Sequence, residues 1–583
     1  MSQLGEIAPE FQRSGSAASH EGERSWLGCP SRTPVWLFLL VLCAYFTFAF
    51  VKLGSSEVGI DEGRFGVSAM NILSDSHQLA TVSEDPLGQP GTKPYGYPVL
   101  LAASLWALGK TEFAVRAVNV IVLVVGALFL YGFVVLVQSD QTLALLTFAL
   151  FLLNPGTLTY ARTAMPEPLV VAAGCFALFC AAKFVTKKSL PWAAACGFAL
   201  GFGFLSKMWL VLPFALACFS FFALRLLTER SRVFLVGILS AFSSFLLVAA
   251  SHLLLVLWLM PAEWSHWMGI YFLFSLGSRV AGAGYDPAMW YRPWWFYLGA
   301  AFKASFFGLP LLFLGVRAAR KRLNVPLIAV HLSLVFPVFA FSFLQVKQAS
   351  YIYPAYPALA LLLALGWLYL VRGTSRAELF FASVFSIGAT AFFFAKGVFG
   401  LRECAALMAL NLLYFATAFT RARASHIVRY GIAATVFSAL LFADALVVRQ
   451  SIQPPAYYRE IAEYFKPQLL SRKPQEMAFT APAYPAMQFY TFRSGEYWET
   501  FYVKKSAVEE ASDLRDGARV FYVVDPSQTI YGGKMSPDRL EALRDYGSEV
   551  TEKIEKKIGH AIPLRVFVPR LVHLRSVENE GRP

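Results

Sequence analysis

Apolar runs close to the ~20 residues that a bilayer core demands recur along this chain from Pro34 to about residue 448. The first covers Pro34–Val51. The others fall at about 112–137, 142–157, 168–184, 190–205, 208–226, 233–260, 292–315, 326–344, 354–371, 377–396, 403–420 and 430–448. The pattern predicts about thirteen membrane-spanning helices, each resting on the same length criterion. One connection, roughly 53–111, is far longer than the rest, and within it Pro98–Leu108 is apolar but too short to cross. A segment of that length predicts an interfacial or re-entrant helix. From about Gln450 the pattern changes. Apolar runs shorten to strand length at Met477–Ala481, Arg519–Val524 and Leu564–Val568, with helical patterns at Tyr457–Phe465 and Pro537–Tyr546 between them. Ser536 and Pro537 suit a helix cap and first turn. Residues 451–583 therefore read as a small α/β domain, joined through Pro454-Pro455 to a membrane domain over 34–450.

Composition excludes a soluble globular protein. Hydrophobic residues make up 57% of the chain and charged ones only 15%, against about 25% in ordinary soluble domains. The net charge of +14 would suggest nucleic acid in a soluble protein; here it follows the positive-inside rule. One set of connections holds Lys183, Lys187 and Lys188; Arg225, Arg230 and Arg232; Arg317, Arg320, Lys321 and Arg322; Arg372 and Arg376; Arg421, Arg423 and Arg429. The alternate connections hold scattered cations such as Arg162, Lys207, Lys347 and Lys396. The first set is expected to face the cytoplasm. An odd number of spans then puts the N-terminus inside, and the long loop 53–111 and the C-terminal domain outside. Residues 1–33, polar and without an apolar core, are expected to be a disordered cytoplasmic tail. Of seven cysteines, all but Cys29 lie in or beside apolar runs, and none forms a CxxC pair, so neither a disulfide framework nor a cysteine metal site is expected.

Candidate chemistry gathers in the outer connections. Asp61-Glu62-Gly63-Arg64 follows the first span. Thr92-Lys93-Pro94-Tyr95 opens the short apolar segment. Arg162-Thr163-Ala164-Met165-Pro166-Glu167-Pro168 lifts a carboxylate to a helix start. Arg279 precedes an aromatic cluster at Tyr291-Arg292-Pro293-Trp294-Trp295-Phe296-Tyr297, and Lys347-Gln348-Ala349-Ser350-Tyr351 closes the set. Each alone has a bland explanation: basic side chains snorkel at helix ends, and Trp and Tyr form interfacial belts. Together they put two acidic sites, several cations and aromatic residues at one membrane face.

In order and form these motifs resemble the lipid-dependent GT-C glycosyltransferases, in the branch with protein O-mannosyltransferases and the aminoarabinose transferases of lipid A. The resemblance rests on the Asp-Glu after the first helix, the Lys93-Pro94 element and the Arg162–Pro168 loop. It extends to the Gly201–Lys207 run, Pro293–Leu298 and Lys347–Pro354. It implies a GT-C membrane domain and a donor sugar carried on an undecaprenyl-type polyprenyl phosphate, used at the periplasmic face of a bacterial inner membrane. It also implies inversion by direct attack of the acceptor on the anomeric carbon. The acceptor would be lipid A or a related glycolipid, with a protein hydroxyl next.

A phosphate leaving group needs cations against its developing charge. Lys93, Arg279 and Lys347 are the expected phosphate ligands, aided by the Tyr351 hydroxyl, with Lys207 and Arg292 as secondary candidates. Asp61 is the expected base or orienting carboxylate, Glu62 its neighbour, Glu167 the second acidic position, and Arg64 the residue holding the acidic pair. The resemblance further implies a divalent metal bridging Asp61 and Glu167. Against this, Thr92 stands where aminoarabinose-transferase relatives carry a metal-binding Glu. The alternative from another class is a transporter or flippase of lipid-linked sugars, which places its ionisable groups near the bilayer midplane on broken helices.

Overall fold

The computed structural model describes residues 35–396, apart from 83–92, 270–291, 305–307, 322–335 and a few single positions, together with isolated helical positions up to 449 and four short strands beyond. The expected tail 1–33 and the expected spans at 403–420 and 430–448 lie outside the described residues, as does most of 326–344.

The described part is a helical bundle. Its helices are α1 (Val35–Phe50), α2 (Ile60–Ser74), α3 (Gly96–Leu108), α4 (Glu112–Gln138), α5 (Gln141–Leu152) and α6 (Pro155–Ala161). They continue with α7 (Glu167–Lys187), α8 (Leu190–Lys207), α9 (Leu212–Glu229), α10 (Arg232–Leu259) and α11 (Trp264–Gly269). The last four are α12 (Phe296–Ala304), α13 (Leu309–Lys321), α14 (Tyr356–Gly373) and α15 (Arg376–Ala395). Their starts follow local chemistry. Thr111 and Asp140 accept from the backbone N–H groups of Ala114 and Leu143 and so cap α4 and α5. Ser375 and Glu378 form a reciprocal capping box at α15.

Five helical stretches among the described residues are long and apolar enough to cross a membrane, or six when α5 and α6, bent by 58° at Leu153-Asn154, are taken together. This is a multi-pass helical membrane protein. One of the five stretches, Leu190–Glu229, has 40 residues, twice what a bilayer needs. It is two legs. Met208 turns the chain at φ 40°, ψ −116°. Gly197 and Gly201 on α8 lie against Ala241 and Val248 on α10, so those helices run the same way. Gly174 on α7 meets Phe214 on α9, and Phe184 meets Phe222, so α9 runs with α7. Gly203 nears Ala173 while Trp192 nears Phe179, so α8 opposes α7. The predicted breaks near 206 and 189 are therefore real turns. Of the run expected as one span at 292–315, the helices α12 and α13 are described, and residues 305–307 between them lie outside the described residues.

The bundle has two chemically distinct ends. At one, Lys188 on the α7–α8 connection bonds Glu229 at the end of α9 at 3.0 Å, and Arg317 bonds Glu378 at 3.2 Å. At the other lie the end of α1 and the starts of α2, α3, α4 and α7. The connection predicted as the long loop 53–111 is largely helical there: α2 occupies 60–74 and α3 occupies 96–108. Trp106 and Trp258 are among the most exposed side chains, at 80% and 79%, as suits aromatic anchors at a headgroup boundary.

Small residues set the closest helix contacts, the usual device where lipid removes the hydrophobic drive between helices. A Cβ at Gly315 on α13 would sit 2.0 Å from the Leu362 carbonyl oxygen on α14, and one at Gly366 would sit 2.0 Å from that of Leu311. The obstacle is backbone, so it cannot rotate away. Gly315→Val is expected to cost about 3 kcal/mol, the upper end for overpacking. The measurement is the thermal midpoint of detergent-solubilised protein by fluorescence-detected size exclusion.

Beyond residue 450 four strands form one sheet: β1 (Met477–Thr480), β2 (Arg519–Val524), β3 (Gly547–Glu549) and β4 (Arg565–Pro569). Their order is β1-β2-β4-β3, with β1 and β2 parallel and the other pairs antiparallel. The expected helical patterns at 457–465 and 537–546 lie outside the described residues.

Candidate active site

The site end is built on a buried polar frame. Arg116, one turn inside α4, is almost wholly enclosed. Its Nε and Nη2 donate to the two carboxylate oxygens of Glu62 at 2.9 and 2.8 Å, and its Nη1 donates to the carbonyls of Leu53 and Ser56 at 3.0 and 2.8 Å. Glu62 Oε1 also accepts from the backbone N–H of Ala164 at 2.8 Å. One turn further along α4, Asn119 Nδ2 donates to the carbonyls of Thr163 and Met165 at 2.6 and 2.8 Å. Arg162 reaches back to the carbonyls of Phe48, Ala49 and Val51, at 2.8 to 2.9 Å. These are the unsatisfied acceptors at the end of α1, where a cation also meets the negative pole of the helix. Burial, with Arg116 nearby, lowers the Arg162 pKa to about 10, which keeps it a cation at neutral pH.

This frame holds three carboxylates of differing character. Asp61 is in the first turn of α2, with its side chain 59% exposed and only Arg64, 3.8 Å away, as an ion partner among the described residues. An exposed pair at that separation contributes little. Glu62, next in sequence, faces inward and is consumed by Arg116 and Ala164. Arg116 holds it from within α4. Glu167 opens α7, is fully buried, and pairs through Oε1 with the Lys207 ammonium at the end of α8. Its Oε2 finds no hydrogen-bond partner among the described residues.

Cations follow from the same fold. Lys207 lies 5.8 Å from the Tyr351 ring centroid, so the turn at Met208 delivers its ammonium to Tyr351 as well as to Glu167. Four residues before Tyr351, Lys347 is also buried and donates to the Leu344 carbonyl. No carboxylate pairs with it among the described residues. Burial lowers its pKa below the ordinary lysine range. Lys93 is half-buried just ahead of α3. The start of α3 abuts the end of α8, where a Cβ on Gly96 would meet the Leu205 backbone at 2.8 Å. Arg292 is exposed ahead of α12, and Arg279 lies outside the described residues. The structure therefore joins Glu167, Lys207 and Tyr351 directly, with Lys347 on the same short segment as Tyr351. His252 bonds the Ala80 carbonyl at 3.1 Å and meets Trp267 edge-on.

A divalent metal bridging Asp61 and Glu167 does not fit this donor set. Lys207 already supplies the countercharge to Glu167, and no three His, Cys, Asp or Glu side chains gather as ligands among the described residues. Such ions need several oxygen or nitrogen donors together.

Sequence reading missed Arg116 and Asn119. A signal was present: an ionisable residue inside a membrane-length apolar helix is rare and points to function, and Glu112, Arg116 and Asn119 share one helical face.

Residues 92–254 match the family model described as dolichyl-phosphate-mannose-protein mannosyltransferase. The chain is 26% identical over 272 residues to an undecaprenyl phosphate-alpha-4-amino-4-deoxy-L-arabinose arabinosyl transferase from Pectobacterium atrosepticum, covering 45% of this chain and 46% of the relative. The counterpart from Pectobacterium carotovorum is 26% identical over 308 residues, covering 49% and 53%. The matched stretch thus spans about half the length of these curated relatives. Likeness of fold extends further. The crystal structure of ArnT from Cupriavidus metallidurans bound to undecaprenyl phosphate superposes with a TM-score of 0.63 at 15% identity, over 93% of this chain and 98% of that one. Its apo state gives 0.59. The chain thus has the GT-C fold of the lipid-linked glycosyltransferases, and its residues 92–254 carry the sequence pattern of the protein mannosyltransferase family.

Proposed function

We propose that this protein is a glycosyltransferase that moves a sugar from an undecaprenyl-type phosphate donor to an envelope acceptor, lipid A or a related glycolipid. The carrying observation is that an exposed carboxylate, Asp61, shares one end of the bundle with the Lys207 ammonium, 5.8 Å from the Tyr351 ring, and with the buried Lys347 on the same short segment as Tyr351. A protein hydroxyl is the second acceptor reading, favoured by the family match over residues 92–254.

In this reading the acceptor oxygen attacks the anomeric carbon. The bond from that carbon to the phosphate oxygen breaks, and its electron pair leaves with the polyprenyl phosphate. Lys347, with Lys93, Lys207, Arg279 and the Tyr351 hydroxyl, neutralises the charge that develops there. A hydroxyl acceptor gives its proton to Asp61; a phosphate acceptor needs only orientation. An apolar groove of about 360 Å³, lined by Leu298, Phe302, Leu312, Val338, Leu359 and Phe385, suits the polyprenyl chain.

The site end faces the periplasm of a bacterial inner membrane and the Lys188–Glu229 end faces the cytoplasm, which the cation-rich connections support. About thirteen helices then precede a periplasmic α/β domain formed around the four-stranded sheet. Grouping of the charged residues at one end of the bundle, rather than at its midplane, favours an enzyme over a flippase.

Binding of undecaprenyl phosphate to the full chain in nanodiscs tests the phosphate site, with native mass spectrometry as the readout. Lys347→Met is expected to weaken binding at least about tenfold, the loss of one charge-assisted bond. Because burial lowers the Lys347 pKa, its charge is lost at a lower pH than that of an ordinary lysine as pH rises. Wild-type affinity should therefore fall on the alkaline side, and Lys347→Arg should flatten that fall because guanidinium stays protonated. Unchanged binding by Lys347→Met would remove the residue from the site.

A further inference from the structure

We infer that Arg116 is a positioning residue, which acts through Glu62 to fix Asp61 against the loop that carries Glu167; this rests on the reading of the site as a transferase. Its guanidinium contacts four groups from three places in the chain. It meets the Leu53 carbonyl at 3.0 Å, the Ser56 carbonyl and hydroxyl at 2.8 and 3.1 Å, and both oxygens of Glu62. Glu62 then passes the constraint on, because the oxygen that accepts from Arg116 Nε also accepts from Ala164 N–H. Ala164 lies three residues before Glu167, and Asn119, on the same face of α4 as Arg116, grips the carbonyls on either side of Ala164. Asp61 adjoins Glu62 on the opposite side. Asp61 and the loop that leads to Glu167 are thus both tied to a single ion pair anchored in α4.

The Glu62 carboxylate is 10% exposed and its Arg116 partner 4%, with three donors on its two oxygens. A group so engaged is poorly placed to take a proton. The pair is also buried where water cannot substitute for a lost bond, and it is bidentate, which fixes direction as well as distance. Lysine at 116 would keep the charge, yet as a single point it cannot span Glu62, Leu53 and Ser56 together. What it loses is geometry. Displacements of order 1 Å at a reacting group cost roughly 100-fold in rate.

The test compares variants by sugar product per folded protein in a deletion strain, read by mass spectrometry of envelope lipids and glycoproteins, and by binding of bare undecaprenyl phosphate in nanodiscs. Arg116→Lys is expected to bind undecaprenyl phosphate within about threefold of wild type while making roughly 100-fold less product. Near wild-type product, or a loss of binding that matches the loss of product, overturns the assignment. If Arg116→Lys does not fold, Glu62→Gln decides, since it keeps the acceptor for Ala164 N–H. Retained binding with about tenfold less product supports positioning. Unchanged product overturns it, and so does a loss as complete as that of Asp61→Asn, which would make Glu62 the proton acceptor. Absence of any product from wild type would count against the transferase reading itself and is recognised separately.

Discussion

Asp61→Asn is expected to lower sugar transfer to a hydroxyl acceptor by about a thousandfold, the middle of the range for a general base, with little change in stability. The two halves of this expectation have separate causes. Asp61 is exposed, and its only ion partner among the described residues, Arg64, is 3.8 Å away; such pairs hold a fold together by well under about 1 kcal/mol. Asparagine keeps the shape and still suits the first turn of α2. What it cannot do is accept a proton. Binding of undecaprenyl phosphate should survive, because the cations sit on other segments. Transfer is measured on purified protein at matched folded fractions. Retention of more than a tenth of wild-type transfer would move the base elsewhere.

The second large effect is structural. Lys207→Met leaves the Glu167 carboxylate fully buried with neither oxygen paired, since Oε2 already finds no partner among the described residues. Stranding one member of a buried ion pair costs about 3–5 kcal/mol, offset only in part by the positive pole of α7. The thermal midpoint should fall accordingly. The double variant Lys207→Met/Glu167→Leu replaces both charges with apolar groups and is expected to recover most of the loss, while transfer stays absent because the cation beside Tyr351 has gone. A loss below about 1 kcal/mol in the single variant would mean that Lys207 is an ordinary helix-end lysine extending to water.

How much of this could be read from sequence depended on range. The spans at 112–137, 168–184 and 233–260 were legible because length and apolarity act locally; the helices fall at Glu112–Gln138, Glu167–Lys187 and Arg232–Leu259. The motifs were legible too: Asp61, Glu167, Lys207, Lys347 and Tyr351 all lie at one end of the bundle. Partnerships were not. Glu167 and Lys207 are 40 residues apart, Glu62 and Arg116 are 54 apart, and Arg162 reaches the end of α1 across more than 110. Nothing local marks such pairs. Arg116 and Asn119 were overlooked because a run judged by mean hydropathy absorbs two polar residues without breaking. The segment after Leu53 was expected as a loop because its carboxylates, Gly63 and Arg64 signal solvent. It folds into α2 because Glu62 turns inward to Arg116 and Phe65, Val67 and Met70 pack beneath it.

The central claim, that this chain transfers a sugar to an envelope molecule, is tested most directly by mass spectrometry of envelope lipids and glycoproteins from a strain lacking the gene. The account expects one sugar-modified species to vanish, to return with the wild-type chain, and not to return with Asp61→Asn. An unchanged set of glycolipids and glycoproteins, or full restoration by Asp61→Asn, would contradict it.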